Sequence, residues 1–235
     1  MTARKSASRS PATRSISTQV KDALADLKRL GSARIRDEMG PRYGIHVKRA
    51  FGVRVGQMQQ LAKKIGHNHD LALALWDDAG GWYEARMLAA FVDEPARVTP
   101  AQMDRWCRDF DNWGIVDTVC FKLFDQSPHA WSKVRPWSRR REEFMKRAGF
   151  VLMACLAAHD RNATDAQFLA LLPLIAAGAA DDRNFVKKGV SWSLRMIGRR
   201  SPKLRSASLA LARRLAASDQ PSCRWIGKDA LRDLA

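Results

Sequence analysis

The segment from Asp109 to Asp117 contains side chains whose types and spacing could do chemistry. Three residues near its start can accept backbone N–H groups and so cap a helix: Asp109, Asp111 and Asn112. The pattern predicts that this helix runs from about Trp113 to Phe124. Trp113 and Asp117 then lie one turn apart, so one helical face presents an indole beside a carboxylate.

Two stripes run along the predicted helix, one apolar and one that contains the carboxylate. The apolar stripe consists of Ile115, Val116, Val119 and Leu123, and the mixed stripe of Trp113, Asp117, Cys120 and Phe124. A partly desolvated carboxylate is costly unless it meets a donor, a cation or a reacting centre. Two interpretations of Asp117 therefore stay open: a structural salt bridge beneath a core tryptophan, and a catalytic carboxylate.

An arginine lies on the apolar face of a second helix, predicted from about Glu142 to Ala158. The apolar face consists of Phe144, Val151, Ala154 and Ala158, and Arg147 belongs to the same stripe. A guanidinium in an apolar stripe needs an anion. That anion could be Asp117 or another buried acid in a structural pair, or a phosphate bound at the mouth of a concave surface. Helix position favours neither alternative.

A third helix, predicted from Asn184 to Arg199, carries a tryptophan among cations. Its apolar face consists of Val186, Val190, Leu194 and Ile197. Trp192 lies on the opposite face, which it shares with Phe185, Lys188, Arg195 and Arg199. Cationic side chains can hold phosphates while an indole contacts sugar or base, so this face is typical of a nucleic-acid-binding surface. The alternative is that Trp192 packs against another helix.

The elements that must position these residues belong to a chain with a large positive charge. Lys+Arg number 41 against 24 Asp+Glu, which gives a formal net charge of +17 in 235 residues. Such an imbalance indicates a polyanionic partner, with nucleic acid as the first candidate. A membrane surface could also attract this charge, but no run is long and apolar enough to span a bilayer. We expect a soluble, cytoplasmic protein, associated with the nucleoid if the source is bacterial.

The four cysteines are scattered through the sequence without a close pair: Cys107, Cys120, Cys155 and Cys223. Neither a disulfide framework nor a cysteine zinc site is indicated. We expect reduced thiols, no metal and no cofactor.

The pattern of helices predicts an all-α fold. Residues 1–17 are basic, rich in serine and threonine and poor in apolar residues, so we expect a disordered tail before a single domain over 18–235. Apolar residues then recur at helical spacing in short segments, separated by Gly31, by a polar connection over 40–44, and by Gly66. No sustained alternation of period two appears. Stacked helix pairs with a free concave surface are the predicted architecture. Glu84 and Arg86, inside an apolar segment, are interpreted as structural.

These segments resemble the AlkD-type DNA alkylation repair glycosylases, which are built from HEAT-like helical repeats. The similarity runs from about Tyr43 to Leu234. It rests on Trp113 and Asp117 in Asn-Trp-Gly-Ile-Val-Asp, on Arg147 in Phe-Met-Lys-Arg-Ala, and on Trp192 in Phe-Val-Lys-Lys-Gly-Val-Ser-Trp. The family's tryptophan is often followed by an acid and preceded by an aromatic residue, whereas this chain has Gly114 and Asn112 there.

The resemblance implies a superhelical array of antiparallel helix pairs with a concave basic face. It implies a monofunctional glycosylase that excises N3- or N7-alkylated purines from duplex DNA, as an expected monomer. Asp117 would be the catalytic carboxylate, Trp113 and Trp192 aromatic walls, and Arg147 a contact to the DNA backbone. The family acts on the lesion without extruding it into a deep pocket. We further expect phosphate contacts from Lys188, Arg195, Arg199 and Arg140.

Two rival classes remain open. One is a non-catalytic HEAT-like protein that binds DNA or RNA with the same basic face. The other is a protein-interaction scaffold whose charge aids solubility. Salt-dependent binding separates a nucleic-acid partner from a protein partner, and release of free base from methylated DNA separates an enzyme from a binder.

Overall fold

The computed structural model describes residues 14–235, which form an all-helical chain without strands in that range. The fourteen α-helices are α1 Ile16–Leu30, α2 Ala33–Tyr43, α3 Val55–Ile65, α4 His69–Asp77, α5 Tyr83–Val92, α6 Pro100–Arg108, α7 Trp113–Lys122, α8 Ala130–Ser138, α9 Glu143–His159, α10 Asp165–Leu169, α11 Leu172–Gly178, α12 Asn184–Gly198, α13 Pro202–Ala216 and α14 Pro221–Leu234. Two short 3₁₀ turns occupy Pro95–Arg97 and Phe124–Gln126. The first helix begins at Ile16, inside the stretch predicted as a tail, and residues 1–13 of that tail lie outside the described residues.

Polar side chains begin many of these helices, as the sequence pattern predicts. The capping residues whose side chains accept a backbone N–H are Ser15, Ser32, Asn68, Thr99, Asn112 and Ser201. Each such cap stabilises its helix by about 1 kcal/mol. The predicted stops at Gly31 and Gly66 are also the C-terminal caps of α1 and α3.

Two helices, α2 and α8, contain a proline near the C-terminal end. The predicted polar connection over 40–44 is wrong, because Pro41 lies inside α2. No helix was predicted around Pro136, which lies inside α8. Each proline is the third residue from the end of its helix, so only the last turn lacks its N–H. Gly44, at φ 64°, then ends α2 and donates its own N–H to Gly40 and Met39.

Short connections join α4 to α5, α8 to α9 and α13 to α14, and each pair packs together. Because a short connection reverses the chain, the members of each pair are antiparallel. Along the molecule, α5 packs against α7, α7 against α9, α9 against α12, and α12 against α14. We call these five helices the row. The most buried of these is α9, in which every residue from Met145 to Ala157 is buried except the partly exposed Lys146. The row therefore carries Trp113, Asp117, Arg147 and Trp192 on neighbouring helices.

The charged pair inside α5 is structural, as expected. Glu84 is fully buried, and its carboxylate accepts the backbone N–H groups of Phe51, Gly52 and Val53 at 2.9, 2.7 and 3.2 Å. Arg86 donates to the carbonyl of Asp109 at 3.2 Å and lies over the ring of Trp76. Glu84 thus fastens the segment between α2 and α3 to the row of helices. This segment leads directly from the end of α2, which borders the candidate site.

Candidate functional site

Asp117 and Arg147 form a two-pronged ion pair between α7 and α9. Arg147 Nε donates to Asp117 Oδ1 at 3.0 Å, and Nη2 donates to Oδ2 at 2.7 Å. The remaining terminal nitrogen, Nη1, donates to the carbonyl oxygen of Phe185 on α12 at 2.6 Å. One guanidinium therefore ties three consecutive helices of the row together.

Burial distinguishes the two partners of this pair. The Arg147 side chain is 6% exposed, whereas that of Asp117 is 22% exposed. Burial raises the pKa of the Asp117 carboxyl, and the charge and hydrogen bonds of Arg147 act in the opposite direction. Of the two alternatives for Arg147, the geometry corresponds to the ion pair with Asp117. The guanidinium directs its bonds inward, and it does not present a free fork for an external phosphate.

A cavity of about 510 Å³ opens beside this pair. Its lining residues come from the end of α2 and from the first turns of three row helices: Arg42, Tyr43, Gly44, Trp113, Asp117, Arg147, Asn184, Phe185 and Lys188. A carboxylate, three cations and three aromatic rings thus border one space. Of the ion-paired groups, the carboxylate is the one that a molecule in the cavity meets first, because it is the more exposed.

Trp113 is held as a wall of the cavity by the end of α2. Its indole Nε1 donates to the carbonyl oxygen of Tyr43 at 2.8 Å. The adjoining Gly44 has φ 64°, a conformation that L side chains rarely adopt, and a Cβ there would lie 3.4 Å from Phe185 Cζ. Phe185 in turn packs against Phe144 with ring centroids 5.6 Å apart. Two segments distant in sequence therefore complete the aromatic wall that α7 begins.

A close contact at Gly114 explains why no larger residue follows Trp113. A Cβ at Gly114 would lie 2.7 Å from the hydroxyl oxygen of Tyr83, and 3.2 Å from both Asn112 Oδ1 and Ile45 Cδ1. Tyr83 is buried, and burial, followed by the negative charges of neighbouring carboxylates, raises the pKa of its hydroxyl. The acid that often follows this tryptophan in the resembling family therefore has no space here.

Trp192 is the predicted wall residue that the structure does not bring to the cavity lining. It is half-buried against the core and is not among the described residues that line the cavity. Phe185, which shares its helical side, lines the cavity instead. Cys120 in α7 and Phe124 in the 3₁₀ turn that follows it, both predicted for the mixed stripe, are fully buried in the core. Of the four residues predicted for the site, the structure brings Trp113, Asp117 and Arg147 together.

The four cations predicted to contact phosphate do not lie together. Lys188 is exposed at the cavity. Arg195 and Arg199 instead pair with α14, where Arg195 reaches Asp233 at 3.2 Å and Arg199 Nε donates to Asp233 at 2.9 Å. Arg140 is exposed and lies 3.3 Å from the carboxylate of Glu142. The helical pattern of α12 could not reveal that two of its cations face acids from another helix.

Sequence reasoning did not assign Tyr43 and Phe185 to the site. Tyr43 is 46% exposed and was interpreted as part of a polar connection. Phe185 carried a usable signal, because its spacing places it on the same side of α12 as Lys188. Tyr43 carried none, since its contact with Trp113 spans 70 residues of sequence.

Within residues 14–235, no group of three or more His, Cys, Asp or Glu side chains is placed to hold a metal ion. No helix in that range is long and apolar enough to cross a membrane.

Comparison with known proteins gives a family and a fold. The model of the family described as DNA alkylation repair enzyme matches residues 23–233. A solved structure from a protein family related to the HEAT-like repeat DNA glycosylases, with affinity for branched DNA structures, is similar with a TM-score of 0.74. It has 21% sequence identity and covers 91% of this chain and 94% of its own. At that identity the likeness shows the HEAT-like helical-repeat fold. No curated protein matches the chain.

Proposed function

This chain belongs to the DNA alkylation repair enzyme family, and on that premise we propose that it is a DNA glycosylase. Its substrates are cationic N3- or N7-alkylated purines in duplex DNA, and its reaction is hydrolysis of the bond between the base and C1′. The observation that carries this proposal is a partly exposed carboxylate, Asp117, held rigidly at a cavity bordered by aromatic rings.

The chemistry suits these side chains because the alkylated base already carries the positive charge that makes it leave. When the N-glycosidic bond breaks, its electron pair goes to the base, which departs neutral, and cationic character passes to C1′. A fixed carboxylate at Asp117 stabilises that charge and orients the attacking water, whose oxygen bonds to C1′ while its proton goes to solvent. No acid is needed to protonate the leaving base.

Arg147 acts in this proposal as the residue that holds Asp117. A carboxylate fixed by two hydrogen bonds needs no reorientation as charge develops. The pair is neutral as a whole, but its carboxylate is more exposed than its guanidinium. The developing cation is therefore closer to the negative partner. Trp113, Tyr43 and Phe185 border the same cavity and hold the cationic base by cation–π contact.

DNA is the partner that the charge of the chain favours. Lys188 supplies a cation at the rim of the cavity, and α12 begins there without a side-chain cap or an acid in its first turn. Uncapped N–H groups at a helix start attract phosphate. The rings of Tyr43 and Trp113 then lie beside a DNA backbone that Lys188 and the start of α12 bind through its phosphates.

A second candidate function is binding of branched DNA without base excision. The observation that favours it is that both oxygens of Asp117 already accept hydrogen bonds from Arg147. The structurally similar protein family, moreover, has affinity for branched DNA structures.

Release of free base separates the two candidates. Duplexes containing 7-methylguanine or 3-methyladenine are incubated with excess protein, and the free base is quantified against a protein-free blank. Release above the blank by the wild type, with none from the Asp117→Asn variant, supports the glycosylase. Tight binding of four-way junctions with no release favours the binder. In that case Asp117→Asn leaves junction affinity unchanged.

A further inference from the structure

The carboxylate of Asp181, which has little exposure, organises the loops at the start of α9 and α12. Its side chain is 9% exposed and accepts from Arg183 Nε at 2.9 Å, from Arg183 Nη2 at 2.6 Å and from Lys146 Nζ at 2.8 Å. The Arg183 N–H also donates to it at 3.2 Å. Asp181 thus fixes the direction of the Arg183 side chain, since the guanidinium is held in two places.

Arg183 uses its remaining terminal nitrogen to hold a second loop. Its Nη1 donates to the backbone carbonyl of Arg141 at 2.7 Å. That carbonyl belongs to the arginine loop, which we define as residues 139–142 between α8 and α9. Arg139, Arg140 and Arg141 are all exposed. Arg183 therefore holds the loop by its backbone, and the three arginine side chains of the loop stay exposed.

The position of the arginine loop relates it to the candidate site. The loop leads into α9, and Arg147 follows four residues after the start of that helix at Glu143. A helix rises about 1.5 Å per residue, so the loop lies on the order of 6–10 Å from the level of Arg147. Because DNA carries one phosphate per about 3.4 Å on each strand, this distance spans roughly two or three nucleotides.

Electrostatics indicates what the loop binds. Three like charges on consecutive residues repel one another, and only Arg140 has an acid within ion-pairing distance, the carboxylate of Glu142 at 3.3 Å, among the described residues. A bound polyanion relieves this repulsion. We propose that the arginine loop is a phosphate-binding contact for the DNA strand next to the candidate site, and that Asp181 is its positioning residue, acting through Arg183. This inference rests on the proposed function in one respect, that the partner is DNA.

The change in DNA affinity caused by Asp181→Asn distinguishes a positioning role from a purely electrostatic one, because the two roles predict opposite changes. Asp181→Asn removes a negative charge, which by charge alone tightens DNA binding. If Asp181 positions the loop, the same variant instead weakens binding of a duplex by roughly threefold to tenfold, as expected for the loss of one or two phosphate contacts. The matched control is Asp182→Asn, because Asp182 is the exposed neighbour. It removes the same charge and leaves binding unchanged or slightly tighter.

A second comparison tests the loop directly. The Arg139→Gln/Arg141→Gln double variant lowers the slope of log affinity against log salt by about two units, since each phosphate contact contributes about 0.9. Arg213→Gln/Arg214→Gln, an exposed pair on α13, removes the same charge and leaves the slope unchanged. Adding Asp181→Asn to the Arg139→Gln/Arg141→Gln variant causes little further loss, because the two changes act through one element.

Several outcomes overturn the inference. Asp181→Asn that binds as tightly as Asp182→Asn contradicts the positioning role. A slope that is unaltered in Arg139→Gln/Arg141→Gln contradicts the contact itself. If Asp181→Asn melts too early to be measured, Arg183→Lys decides, since it keeps the net charge but lacks the fork that reaches both Asp181 and Arg141. If Arg183→Lys binds DNA as tightly as the wild type, the proposal is wrong. Base release by the wild type, measured separately, keeps the proposed function independent of these results.

Discussion

Arg147 holds the Asp117 carboxylate by both of its oxygens, at 3.0 and 2.7 Å, and is itself almost fully buried. The same side chain reaches Phe185 at 2.6 Å, so the carboxylate is fixed relative to α12 as well as α9. The carboxylate that we propose as catalytic is therefore also part of the structural frame. Experiments on Asp117 must separate these two roles.

The first prediction concerns the two roles of Asp117. Asp117→Asn abolishes base release and also lowers the free energy of unfolding by about 3 kcal/mol, because it leaves the buried Arg147 charge without its partner. The double variant Asp117→Leu/Arg147→Met regains most of that stability, since an apolar pair of similar volume replaces the ion pair. It does not regain base release. Denaturant melts and single-turnover excision of 7-methylguanine measure the two quantities, and excision by the double variant at the wild-type rate would contradict a catalytic role.

The second prediction is that the rate of base release decreases at acid pH, which gives the pH–rate profile an acid limb. Burial raises the pKa of Asp117, and the proposed mechanism needs the ionised form. The rate therefore falls as pH decreases through that pKa, with a midpoint above the ordinary value of 3.8. Replacing Arg147 by Met removes a group that lowers the pKa, so the limb moves to higher pH. The measurement is excision of 7-methylguanine against pH, with spontaneous loss subtracted; a limb that stays in place in Arg147→Met disproves the assignment to Asp117.

The sequence predicted the helices that are marked by caps and apolar periodicity, and it missed those interrupted by proline. Asn112 and the stripes of α7 were sufficient to place Trp113 and Asp117 on one face. Pro41 and Pro136 concealed the ends of α2 and α8, because a proline near the end of a helix looks the same in sequence as one in a connection. Tyr43 could not be assigned to the site, since only tertiary packing brings the end of α2 to α7.

The third prediction tests the close contact between Gly114 and Tyr83. Gly114→Ala destabilises the protein by about 1–3 kcal/mol, because the added methyl group meets a buried hydroxyl oxygen at 2.7 Å. In a Tyr83→Phe background the cost is smaller, since that oxygen is gone, but part of it persists through Ile45 and Asn112. Urea denaturation of the four proteins gives the coupling between the two sites. Equal costs of Gly114→Ala in both backgrounds would show that the hydroxyl is not the obstacle.

The fourth prediction distinguishes Phe185 from Trp192. Phe185→Leu raises the activation free energy of excision by about 1–2 kcal/mol, because Phe185 lines the cavity. This is the range for a desolvated cation–π contact. Trp192→Phe leaves excision within about twofold and lowers only stability, because Trp192 packs against the core. The pair is compared by single-turnover excision with melting curves alongside. A larger loss of excision in Trp192→Phe than in Phe185→Leu would restore Trp192 as a wall of the site.

The last prediction concerns which cations of α12 touch DNA. Its helical pattern groups Lys188 with Arg195 and Arg199, and on that pattern alone each should contribute equally. The ion pairs with α14 separate them, because both arginines pair with Asp233 and Arg195 also pairs with Asp229. Lys188→Gln should therefore lower the slope of log affinity against log salt by about 0.9. Arg195→Gln and Arg199→Gln should lower it by much less.

Those two arginine variants have a different signature. They lower stability by roughly 0.2–1 kcal/mol, because a partly exposed ion pair is lost in each. Titrations of undamaged duplex at several salt concentrations give the slopes, and Lys203→Gln on α13 serves as the matched control for Lys188→Gln. If Arg199→Gln lowers the slope as much as Lys188→Gln, then Arg199 exchanges Asp233 for a phosphate when DNA binds. The acids of α14 would in that case compete with DNA for the arginines, and Asp233→Asn should tighten binding.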